Sequence, residues 1–113
     1  MADSGRVVVV AAGFALWSGT SCVAAARWAD IRRLRAYKRG GASADAPLFL
    51  GVELVDGSVM ELHEEAPGFD AFLDRASATL PRLLPYQAWH PTLAASSVAG
   101  EGVVLFERAA RRR

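Results

Sequence analysis

The chain has 113 residues, of which 52% are hydrophobic and 22% charged, with one cysteine and a formal net charge of +1. That length supports a single core without disulfides or a structural metal. Cys22 has no partner for an intrachain disulfide, which suits a reducing compartment, and its expected role is that of a small buried apolar residue. The charge is segregated: +5 over residues 1–40, −7 over 41–80 and +3 over 81–113. Such a distribution can steer a charged partner.

Residues 7–26 carry no charge and are bounded by Arg6 and Arg27. Twenty apolar residues are enough to cross a bilayer as a helix, with the basic residues after them held in the cytoplasm. Ala24-Ala25-Ala26 would also serve a cleaved signal. Three features favour strands instead. Val7 to Val10 are β-branched, stiff at χ1 and better suited to a sheet. Trp17-Ser18-Gly19-Thr20-Ser21 breaks the stretch with turn chemistry. The residues before Arg6 include an acid, which is poor for a signal. The expectation is one long bent strand or two short ones over residues 6–17, with Gly13 permitting the bend. A turn at residues 18–21 then leads to a strand reaching Trp28.

Ile31, Leu34 and Tyr37 recur every third residue, which a bulged strand reconciles because one extra residue flips the facing side. A short amphipathic helix is the alternative for residues 30–38. Residues 39–47 have loop composition. Leu48, Leu50, Val52 and Leu54 then alternate, Asp56-Gly57 turns the chain, and Met60 and Leu62 return. A three-residue loop with left-handed Gly57 pairs Val52 with Met60 and Leu50 with Leu62, keeping apolar residues on one face. A helix starts near Pro67 or Gly68, with Phe69, Phe72, Leu73, Ala76 and Leu80 on one side. Pro81 pushes Leu80 out of helical geometry and stops it. Pro85, Trp89, His90 and Pro91 predict a packed irregular segment over residues 82–99. A last strand covers residues 102–108, and residues 109–113 form a frayed basic tail.

These signatures resemble those of a group of small bacterial proteins with a PH-like (GRAM-like) domain. The resemblance rests on Trp28-x-Asp30-Ile31, Ala36-Tyr37-Lys38, the aliphatic strand and turn, Glu64-Glu65, Gly68-Phe69 and Leu80-Pro81, and it spans residues 5–108. It departs at Arg39-Gly40-Gly41, where an acidic residue would be expected. It implies an α+β domain: an antiparallel PH-like half-barrel of about six to seven strands packed against one amphipathic helix. It also implies strands over residues 7–26, and it brings no catalytic residues.

Little in the chain points to chemistry. Glu61, His63, Glu64 and Glu65 form the densest polar cluster, but a metal site needs convergent ligands, and His90 is distant in sequence. Neither a nucleophile elbow nor a glycine-rich phosphate loop is present, so no catalytic residue, metal or cofactor is expected. An acidic hairpin lining a cleft is the weaker, enzymatic alternative. The best candidate partner-binding residues are Arg32, Arg33, Arg35, Lys38 and Arg39, a basic stretch able to grip an anionic group. Trp17, Trp28 and Trp89 are expected in the core or at its rim. The composite expectation is a cytoplasmic, non-catalytic interaction module that binds a protein partner or self-associates. An anionic lipid headgroup is a further candidate and nucleic acid is not favoured. The rival is a single-pass inner-membrane accessory protein spanning the bilayer with residues 7–26.

Overall fold

The computed structural model describes residues 5–38, 48–95 and 102–108. The predicted loop over residues 39–47, Arg39 with it, and the predicted tail over residues 109–113 lie outside the described residues. Within them the chain is an α+β fold of two antiparallel sheets and two helices. The first sheet contains β1 (Arg6–Val9), β2 (Gly13–Ser18) and β3 (Ser21–Arg27) in sequential order. A single 3-10 turn, Trp28–Asp30, leads into the second sheet. That sheet contains β4 (Ile31–Lys38), β5 (Leu48–Leu54), β6 (Val59–His63) and β7 (Val103–Glu107), in the order β6-β5-β4-β7. The two sheets do not close on one another.

Residues 7–26 are therefore strands, as the β-branched run and the polar break predict. Among the described residues no helix is long and apolar enough to cross a membrane. The uncharged stretch breaks into three short strands. Gly13 opens β2 at a close backbone approach: a side chain there would meet the Ala26 carbonyl oxygen at 2.1 Å. The expected bulge in β4 is present, as a register shift between Ile31 and Arg33 against β5. The hairpin register is also as predicted, with Val52 opposite Met60 and Leu50 opposite Leu62. Gly57 adopts φ +92, the left-handed conformation that its loop requires.

Helix α1 spans Phe69–Thr79 and buries Phe69, Phe72 and Ala76, while Leu80 is extended ahead of Pro81. Gly68 at its start has φ +91, and a Cβ there would lie 1.9 Å from the Val7 carbonyl oxygen. The neighbouring Val7 N–H donates to the Pro67 carbonyl at 2.8 Å. Only glycine allows this contact, by which α1 covers the free edge of β1.

A second helix, α2 (Tyr86–Ala95), lies within the segment 82–99 expected to be irregular, of which residues 96–99 are outside the described residues, so the described residues form two helices rather than one. Pro91 lies inside it, where the missing N–H and the ring cost about 3 kcal/mol in a helix interior. Burial of Trp89 and Leu93, one turn apart, offsets that cost. Pro85 and Pro91 read as breakers in the sequence and concealed the apolar spacing.

The core joins both sheets to the helices. Phe14 from β2, Trp28 from the turn and Phe72 from α1 form a ring triad, with centroids 5.3, 4.9 and 5.4 Å apart. Ile31, Leu34, Leu50, Val52 and Leu62 are fully buried around it. Arg108, at the end of the predicted last strand, is structural. Its Nε donates to the Ile31 carbonyl at 3.0 Å and its Nη2 to the Trp28 carbonyl at 3.3 Å, clamping the corner between the sheets.

Candidate functional site

In the first sheet, alternation divides the side chains cleanly. Val7, Leu16 and Ala24 lie opposite one another and face the core, as do Val9, Phe14 and Ala26. The intervening rows face outward: Arg6 with Trp17 and Cys22, Val8 with Ala15 and Ala25, and Gly13 with Arg27. Among the described residues no helix covers this outer side, and a groove of about 540 Å³ runs along it from Trp17 to Asp30. Its middle is made of Val8, Ala15 and Ala25. One end carries Trp17, whose ring centroid lies 5.5 Å from the Arg6 guanidinium. The other carries the Arg27–Asp30 ion pair at 3.4 Å. Val8 and Val10 on this side are 37% and 54% exposed, so apolar surface faces solvent here. Cys22 is exposed on β3, contrary to the buried role expected for it.

The predicted basic stretch does not form one patch. Arg33 and Arg35 share the outer face of the second sheet, but Arg33 is occupied: it pairs with Glu53 at 3.4 Å and with Glu107 at 3.0 Å. The hydrogen bond it donates to Glu107 and the charge of Glu53 raise its pKa. Arg35 lies 5.8 Å from the Tyr37 ring centroid. Arg32 is exposed at the bulge, while Lys38 is buried. The sequence placed these residues together because they are consecutive; the pleat and the bulge separate them.

Also on the outer face of the second sheet, Tyr37, Phe49 and His63 form a row across three strands. Tyr37 stacks on Phe49 with centroids 6.2 Å apart, and Phe49 meets His63 edge-on at 4.7 Å. The Tyr37 hydroxyl donates to Glu61. Periodicity of two along β4, β5 and β6 could have revealed this row.

The acidic cluster has a partner that sequence separation hid. His90 on α2 and Glu64 are 2.7 Å apart, Tyr86 stacks on His90 at 4.3 Å, and burial and Glu64 raise the Tyr86 pKa. This contact fastens α2 to the segment after β6. Among the described residues no group of three His, Cys, Asp or Glu side chains could hold a metal ion.

Comparison of the chain with protein-family profiles, curated proteins and solved structures finds no match.

Proposed function

We propose that the chain is a non-catalytic interaction module, a PH-like variant, that associates with a second copy of itself through the outer face of the first sheet. The observation that carries this reading is the chemistry of that face along its length. Small residues in the middle row permit close approach of another sheet, and sheets pack about 10 Å apart when their faces interdigitate. A two-fold rotation reverses the ends. Arg6 of one copy then faces the Arg27–Asp30 ion pair of the other, and the large Trp17 side chain meets the end where Gly13 has none. An interface of two-fold type requires this kind of self-complementarity.

The face is three strands wide, about 14 Å, and about five residues long, about 17 Å. It is smaller than the ~800 Å² per partner of a standard interface, so the association is weak and reversible.

Sedimentation velocity over a concentration series tests this. Wild type is expected to shift toward dimer as concentration rises, and Ala15→Arg to remain monomeric with an unchanged far-ultraviolet spectrum. A wild-type chain that stays monomeric throughout would overturn the reading. Association through the basic stretch would instead be weakened by salt and by joint replacement of Arg32, Arg33 and Arg35, and would be indifferent to Ala15→Arg.

A further inference from the structure

We infer that the cleft between the β2–β3 hairpin and the outer face of β5 and β6 is a receptor for an alkylated ammonium group. The cleft has a volume of about 280 Å³ and is walled by Trp17, Val23, Phe49, Glu61 and His63. That is just below the usual range of about 300–1,000 Å³ for sites that enclose a whole small molecule, and suits a head group.

Three properties select the ligand class. First, the walls are aromatic and set at an angle, since Phe49 and His63 meet at 75°. Ring faces attract cations, and Trp is the strongest of them. Trp17 already draws the Arg6 guanidinium, although Arg6 does not line the cleft. Second, the charge in the lining is negative. Glu61 supplies a carboxylate held in place by the Tyr37 hydroxyl. His63 is held in place as well, its Nδ1 accepting the Glu65 backbone N–H at 2.9 Å. Third, Leu16, Trp17, Val23 and Phe49 supply apolar wall beside the polar Ser18, Glu61 and His63. The alkyl groups of an alkylated ammonium can pack on that apolar wall while its charge faces the rings and Glu61. The shared chemistry, a tri- or tetra-alkylated nitrogen, belongs both to free choline-type cations and to the side chain of a methylated lysine on another protein.

Trp17 also lines the groove of the first sheet, but Ala15 and Ala25 line only the groove and Phe49 and Glu61 only the cleft. The two sites can therefore be tested apart.

The test is titration of the full chain with tetramethylammonium and choline, followed by Trp fluorescence and amide chemical shifts. The neutral carbon analogue of choline, 3,3-dimethylbutan-1-ol, serves as control. Saturable binding of both cations is expected, about tenfold tighter than the alcohol. Glu61→Gln, at an exposed position that keeps an acceptor for Tyr37, is expected to weaken binding by about tenfold. Phe49→Leu removes one wall at similar volume and should weaken it too; if that variant misfolds, Glu61→Gln alone carries the test. A trimethyllysine peptide binding at least about tenfold tighter than choline would assign the ligand to a protein side chain, and equal affinities would assign it to the free cation. No saturable response up to about 100 mM tetramethylammonium, equal binding of the alcohol, or indifference to Glu61→Gln would each overturn the assignment.

Discussion

The two sheets are built from the same antiparallel pairing, yet they use their faces differently. The second sheet buries one face in the shared core and carries on the other the Arg33, Glu53 and Glu107 cluster, the Tyr37–Phe49–His63 row and the exposed Val59 and Val104. The first sheet buries one face and leaves the other apolar and open, with no acidic or basic side chain on its middle row. A sheet face that mixes ion pairs with aromatic side chains has polar groups to meet water. One that keeps valine and alanine there presents a surface that another protein can cover. The contrast lies in side-chain chemistry rather than in strand pairing, so it can be broken one residue at a time.

The largest expected effect comes from the side chain that ties the sheets together. Phe72→Ala removes the ring that α1 places against Phe14 and Trp28, and should lower stability by about 3–5 kcal/mol while retaining one unfolding transition. Two separated transitions in urea would show that the sheets do not share one core. Gly68→Ala comes next. It forces a Cβ into the Val7 carbonyl at positive φ, and a cost of about 1–3 kcal/mol in chemical denaturation is expected. A neutral result would mean that α1 does not cover the β1 edge. By contrast, Val8→Ser on the open face should change monomer stability by less than about 0.5 kcal/mol, measured below the association range. A larger loss would place Val8 in the core. Asp56 should give the smallest effect, and one that depends on pH. Ser58 donates to its carboxylate from both hydroxyl and backbone N–H, which lowers its pKa in the folded state. The resulting stabilisation is present above the ordinary value of 3.8 and is lost as pH falls through the folded value. The melting difference between wild type and Asp56→Ala should accordingly shrink in acid, and a gap that widens there would contradict this sign.

How much of this was legible beforehand follows from the range of the forces involved. The hairpin register, the bulge in β4 and the end of α1 at Leu80 are set by neighbours in sequence, through alternation, turn chemistry and the restriction before Pro81. Helix α2 was not legible, because Pro85 and Pro91 are local breakers and the compensating burial of Trp89 and Leu93 comes from distant elements. The basic stretch misled for a related reason: nearby cations look like one patch until the pleat and the bulge distribute the four described ones, Arg32, Arg33, Arg35 and Lys38. The pairing of Glu64 with His90 and the meeting of Trp17 with Phe49, Glu61 and His63 around one cleft depend on how the elements pack together. The apolar outer row could have been read from the alternation of β1 and β2. Which of the two alternating rows faces outward could not, since both are apolar.

The central claim is that Val8, Ala15 and Ala25 touch a second copy of the chain. Filtered NOE spectroscopy on a one-to-one mixture of isotope-labelled and unlabelled protein measures this directly. Contacts between the Val8 methyls of one protomer and the Ala15 or Ala25 methyls of the other are predicted, and they should vanish on dilution and in Ala15→Arg. Intermolecular contacts confined to the Arg33–Glu107 face, or none at concentrations where sedimentation shows dimer, would contradict the account.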